Sequence, residues 1–156
     1  MTLLLPYYIM PKINFTITTP DGTLFKEEVD QISLTTSQGE ITILPNHIPL
    51  VSDIAAGEAR ITKDGRQQPF ALYGGFIEVR PKNEVVVLAD AGERPEHIDM
   101  EAAVAAEARA KKALAETFDP GAYEDAALAL EREQARIRVA RKYRARGFRT
   151  SGQRGE

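Results

Sequence analysis

Residues 85–106 read VVVLADAGERPEHIDMEAAVAA, and the chain changes character inside them. Val85 to Ala89 is an unbroken apolar run, the pattern of a strand buried on both faces. From residue 98 to 118 β-branched residues almost disappear, and alanine alternates with Glu, Lys and Arg. Alanine loses no side-chain entropy in a helix, so this stretch reads as one, with Asp99 as its N-cap. The boundary between a β region and a helical region therefore falls just after Asp90.

Upstream of that boundary the chain has the texture of strands. Ile13, Phe15 and Ile17 alternate with Asn14, Thr16 and Thr18, which puts apolar groups on one face and polar groups on the other. Ile32 and Leu34 alternate with Ser33 and Thr35, and Ile41 and Ile43 with Glu40 and Thr42. Pro20-Asp21-Gly22, Ser37-Gln38-Gly39, Asp64-Gly65 and Pro81-Lys82-Asn83 supply the turns. Short strands at this spacing predict an antiparallel β-sandwich over 12–90.

Downstream, Asp119-Pro120 begins a second helix, with Asp as N-cap and Pro at the first position, where its missing N–H costs nothing. The helices are expected over about 98–118 and 120–146, with Gly147 as the stop. A link of two or three residues makes them an antiparallel hairpin, occupying 91–146. Ala102, Ala105, Ala106, Ala110 and Ala113 would meet Ala126, Ala127, Leu130, Ile137 and Val139. The larger contacts available are Leu130 with Ile137, and Leu114 with Phe118. Alanines bury little area at roughly 25 cal/mol per Å², so the hairpin is expected to be weakly held and able to switch between two arrangements. The fold class is α+β, a sandwich followed by a two-helix hairpin. Residues 1–11 form an apolar leader without a basic start, interrupted by Pro6, and 147–156 a flexible tail.

Composition narrows the function. Hydrophobic residues make up 43% and charged residues 28%, as in folded water-soluble proteins. With no cysteine there is neither a disulfide framework nor a thiolate metal site. No apolar run approaches the roughly 18 to 20 residues that span a bilayer, so direct membrane insertion is not expected. Net charge is −3, but residues 131–156 carry 9 basic and 3 acidic groups. A basic arm on an acidic body calls for an acidic partner.

Catalytic ingredients are scarce. His47 and His97 stand fifty residues apart, and no nucleophile motif or phosphate-binding glycine loop accompanies them. Gly74-Gly75 lies between two strands, which favours a tight turn or bulge over a phosphate cradle. No enzyme activity, metal or cofactor is expected. Two features could serve partners instead. In Leu44-Pro45-Asn46-His47-Ile48-Pro49-Leu50, prolines on both sides stiffen a loop and lower the entropy lost when it is bound. The basic arm includes Arg132, Arg136, Arg138, Arg141, Lys142, Arg144, Arg146 and Arg149, of which Arg138, Arg141 and Lys142 share a helix face. The alternatives are a rigid turn without a partner and a solvated helix face. Nucleic acid is disfavoured, because aromatic interleaving is limited to Tyr143 and Phe148. Carboxylates, which arginine binds bidentately, fit better.

Over about 12–146 the chain resembles the epsilon subunit of the rotary F-type ATP synthase, in its bacterial or plastid form. Its markers are Gly39-Glu40, Leu44 to Leu50, Gly57 with Arg60-Ile61, Gly74-Gly75-Phe76-Ile77-Glu78-Val79, and Val86-Val87-Leu88-Ala89-Asp90. The resemblance implies a non-catalytic central-stalk subunit, coupling the gamma subunit to the c-ring for proton-driven ATP synthesis. It implies that Glu40, Pro45, Asn46 and His47 contact the c-ring. It also implies that an extended hairpin inhibits ATP hydrolysis, with Arg136, Arg138, Arg141 and Lys142 meeting the catalytic beta subunits. The location implied is peripheral, on the cytoplasmic face of the inner (plasma) membrane. Some members bind ATP through an Ile/Leu-Asp-x-x-Arg-Ala motif. Here Ile98-Asp99-Met100-Glu101-Ala102-Ala103 keeps Asp99 but has Ala102 in place of the arginine, so no nucleotide site is expected. The rival reading, a free adaptor binding nucleic acid, would show a salt slope of about −0.9 per phosphate contacted.

Overall fold

Alternating side chains bury one face of a strand and leave the other wet, and two such sheets close over a shared core. The computed structural model describes residues 9–151, with side chains described through Arg146. In order, the described residues form β1 (Ile13–Thr19), β2 (Gly22–Val29), β3 (Gln31–Thr36), β4 (Gly39–Ile43), β5 (Leu50–Asp53), β6 (Gly57–Lys63), β7 (Arg66–Leu72), β8 (Gly75–Arg80), β9 (Glu84–Ala89) and β10 (Gly92–Glu93). A 3-10 turn at Pro95–His97 leads to α1 (Met100–Glu116) and α2 (Pro120–Ser151).

The first sheet runs β2-β1-β9-β8-β5 and the second β10-β7-β6-β3-β4. Every ladder is antiparallel apart from β1 with β9, which is parallel. That pairing sets the first and last long strands of the sandwich side by side, Phe15 opposite Val85 and Ile17 opposite Val87. Ile13, Phe15, Ile17, Ile32, Leu34, Ile61, Phe70, Ile77 and Val87 fill the space between the sheets.

β9 corrects one expectation. Val85, Val87 and Ala89 are buried, but Leu88 is 57% exposed, because only one face of the first sheet meets the second. The strand is covered on one face, not both.

The helices begin where their caps stand. The Asp99 carboxylate accepts the Ala102 N–H at 3.0 Å, and that of Asp119 accepts the Ala122 N–H at 2.9 Å. Ile98, expected to be helical, is extended and buried beneath the hairpin. α1 stops at Glu116, so Phe118 lies in the link and is 99% exposed. Its expected contact with Leu114 needs a helix continuing through 118, and does not form. The expected seam of α1 is met in part: Ala110 is buried and Ala106 and Ala113 line the groove against α2, whereas Ala102 and Ala105 are exposed and Ala103, not among those expected, is buried. α2 passes through Gly147 to Ser151 instead of stopping there. Glycine costs about 1 kcal/mol relative to alanine in a helix but keeps its hydrogen-bonding groups. The expectations for residues 1–8 and 152–156 lie outside the described residues.

α2 crosses the outer face of the second sheet. Ala135, Val139 and Ala140 pack with Ala71, Tyr73 and Ile98 in a small second core. The hairpin is thus seated on one side of the sandwich, and among the described residues no helix covers the outer face of the first sheet.

Candidate functional site

Three surfaces carry the chemistry that the fold leaves available. The stiff loop after β4 is tied to the turn between β8 and β9. Asn46 has a left-handed backbone (φ 66°), as have Lys82 and Asn83 (62° and 58°). The Asn46 N–H donates to the Asn83 side-chain carbonyl, and the Asn83 amide returns a bond to Asn46 Oδ1 at 3.2 Å. Asn83 also accepts from the Asn14 backbone N–H at 2.8 Å, which joins the loop to the start of β1. Asparagine tolerates this backbone region because its short amide bonds locally. The His47 N–H closes the turn on Leu44 O at 3.2 Å, and His47 Nδ1 lies 2.6 Å from Ile48 O.

Glu40 is not part of that cluster. It lies near the opposite end of β4, about 16 Å from Pro45 at roughly 3.3 Å per residue. There it is ion-paired with Arg60. The structure brings Pro45, Asn46 and His47 together and leaves Glu40 apart.

The second surface joins hairpin to sandwich. Arg136 Nε donates to Glu93 Oε1 at 2.6 Å, and Arg136 Nη1 to Glu133 Oε2 at 3.0 Å. The Tyr73 hydroxyl donates to the same Glu93 oxygen at 2.6 Å, and the Arg132 guanidinium lies 5.1 Å from the Tyr73 ring centre. Arg136 is only 16% exposed. Burial opposes its charge, but hydrogen bonds and attraction from Glu93 and Glu133 outweigh this and raise its pKa further. Burial, followed by the bond to Glu93, pushes the Tyr73 phenol well above its ordinary value. Lys142 reaches Glu58 at 2.6 Å, while Arg138 and Arg141 are exposed. The four basic residues therefore divide: Arg136 and Lys142 fasten the hairpin down, while Arg138, at the rim of a cleft against the sheet, and Arg141 stay exposed. Glu93, Glu133, Tyr73 and Glu58 were missed from sequence, since only tertiary packing brings Glu93 to an arginine 43 residues later.

The third surface is apolar. Phe76 and Leu88 pair across β8 and β9, and Val51 on the neighbouring β5 shares their outward face. Val51, Phe76 and Leu88 are 69%, 59% and 57% exposed. Phe76 and Leu88 side by side, with Val51 diagonal to them opposite Glu78, form an apolar patch on the sheet face away from the helices, a surface suited to a partner. The alternating register of β8 carried the signal, but the expectation of a doubly buried β9 hid it.

Asp99 spends its carboxylate on the cap, and Ala102 is exposed with no charge to offer a phosphate. Gly74, in the bend before β8, and Gly75, its first residue, have positive φ (80° and 112°), and a Cβ on Gly75 would come within 2.0 Å of Leu88 O. Among the described residues no group of three or more His, Cys, Asp or Glu is arranged to hold a metal. Among the same residues no helix is long and apolar enough to cross a membrane.

Comparison with known proteins fits this architecture. Residues 12–95 match the family described as ATP synthase, Delta/Epsilon chain, beta-sandwich domain. The ATP synthase epsilon chain of Halalkalibacterium halodurans is 40% identical over 132 residues, covering 84% of this chain and 98% of the relative. That of Dehalococcoides mccartyi is 38% identical over 136 residues, covering 86% and 96%. The same fold occurs in a chain of the Euglena gracilis mitochondrial ATP synthase, with a TM-score of 0.73, 24% identity, and 85% and 83% coverage. By its sandwich and by relatives aligned along nearly their whole length, the chain belongs to the ATP synthase epsilon chain family, a non-catalytic subunit of that complex.

Proposed function

We propose that this subunit couples the gamma subunit to the c-ring in the central stalk, and that its hairpin is a brake on ATP hydrolysis. The observation that carries the reading is the division of the sandwich into two unlike outer faces. One holds the hairpin through a small core and ion pairs; the other presents Val51, Phe76 and Leu88 as an exposed apolar patch. This patch is the gamma-docking face, since it can remain covered while the hairpin leaves the opposite side. Pro45, Asn46 and His47, clasped to the β8–β9 turn, form a rigid end for the c-ring, with Glu40, near the start of the preceding strand β4, as a separate contact. When the hairpin extends, Arg136 and Lys142 join Arg138 and Arg141 in meeting acidic segments of the catalytic beta subunits. The complex places the chain peripherally, on the cytoplasmic face of the inner (plasma) membrane.

The test is ATP hydrolysis by the soluble catalytic head prepared without this subunit, with either the full chain or a chain stopped after Arg94 added back. Suppression by the full chain, with binding but no suppression by the shorter one, is the expected result. If both bind and neither inhibits, the hairpin is not a brake; if neither binds gamma, the coupling role fails as well. Ala102 leads to one further expectation: equilibrium dialysis of the isolated chain should find weak or no ATP binding, and saturation at micromolar ATP would contradict it.

A further inference from the structure

Beside the Arg136 network lies a cleft of about 320 Å³ between the second sheet and α2. From the sandwich side it is lined by Glu40, Arg60 and Glu58, and from α2 by Arg138 and Lys142. Arg60 pairs with Glu40, and Glu58 Oε2 holds Lys142, while the other Glu58 oxygen is buried without a hydrogen-bond partner. Glu58 and Arg60 are two residues apart on β6 and share its outer face. Two carboxylates and one guanidinium thus confront two cations of the helix. The balance is already short of negative charge, so Glu40 matters to the docking of the helix although its own ion pair is with Arg60.

We infer that Glu40, Arg60, Glu58 and Lys142 form a charge-coupled joint, through which a cationic group engaging Glu40 loosens the hairpin. With Glu40 taken up by a partner, Arg60 turns its full charge on the cleft and on Glu58, whose second oxygen is vacant. Lys142 and Arg138 then approach a surface with no net negative charge, and docking weakens. In the assembled enzyme the engaging group is a cation on the polar loops of the c-ring, which rests on the ring-contact reading above. The joint itself does not depend on that reading.

The two parts are separable. The chain contains no cysteine, so dyes on Gln67→Cys and Ala115→Cys, both exposed positions, report hairpin opening by energy transfer in the isolated full chain. Glu40→Gln imitates the engaged state. It should raise the open-to-docked ratio about three- to fivefold at low salt. That gain should shrink near 1 M salt. In an Arg138→Gln/Lys142→Gln background the gain should disappear. An unchanged ratio, or an equal gain in that background, would overturn the joint. The second arm compares the assembled synthase with the ring-free head. The ring should increase opening of the wild-type chain and have no such effect on Glu40→Gln. If Glu40→Gln opens the isolated chain but the ring leaves the wild-type hairpin docked, the ring is not the trigger and that contact reading fails.

Discussion

Replacing Arg136 by alanine should release the hairpin while leaving the sandwich intact. Arg136 is the cation between Glu93 and Glu133, whose side chains are largely buried. Removing one partner of a buried pair costs about 3–5 kcal/mol, because the remaining charge has lost its water as well as its counter-ion. Glu93 keeps the Tyr73 hydroxyl at 2.6 Å and some solvent, so about 2–3 kcal/mol is the appropriate range here. At about 1.4 kcal/mol per decade, the docking equilibrium should fall roughly 30- to 150-fold. The loss should be local, since the main core contains no residue of α2. Native-state hydrogen exchange reads both quantities at once. Amides around Ala135 to Ala140 should exchange faster by that factor, and those of β1, β8 and β9 should not change. Unaltered exchange in α2 would refute the clamp; equal acceleration in the strands would show that sandwich and hairpin open as one unit. The triple change Glu93→Gln, Glu133→Gln, Arg136→Met should recover most of the protection, because it removes the stranded charges along with the cation.

Tyr73 predicts an alkaline limb to stability. Its folded pKa is raised above the ordinary 10.0, so its contribution is complete below pH 10 and is lost as pH rises, because the unfolded chain ionises first. Tyr73→Phe should flatten that limb in denaturant titrations between about pH 9 and 11. Phe76→Ser with Leu88→Thr should weaken gamma binding at least tenfold in calorimetry while shifting the melting temperature little; unchanged affinity would move the docking face elsewhere. Gly75→Ala should destabilise the first sheet by more than about 2 kcal/mol, from positive φ and the clash with Leu88 O, and a melting temperature equal to the parent's would contradict this.

Much of this was legible in the chain because the relevant signals are local. Period-two alternation marked β1, β3 and β4, and the caps Asp99 and Asp119 act within one helical turn. The failures lie where one element meets another. Val85 to Ala89 is apolar on both faces, and nothing within the run says that only one is covered. Which alanines of α1 form the seam depends on how α2 lies, so Ala103 went unrecognised and Ala102 and Ala105 were wrongly included. The basic arm was visible, but its division into ion-paired fasteners and exposed groups was not, since Glu58 and Glu93 are remote in sequence from Lys142 and Arg136.

The parallel ladder between β1 and β9 has a kinetic consequence. Asn14 pairs with Glu84, so the middle of the first sheet joins segments some seventy residues apart. Closing so long a loop comes before any reward from its contacts, which slows folding relative to hairpin-only sheets. On the ribosome, residues 13–80 can form hairpins but cannot complete the first sheet until residues 84–89 have emerged. The helices follow directly behind, and their seat on β6 and β7 is ready only when the sandwich has closed. Assembly therefore runs from local strand hairpins to the centre of the first sheet and only then to the helices, which dock last.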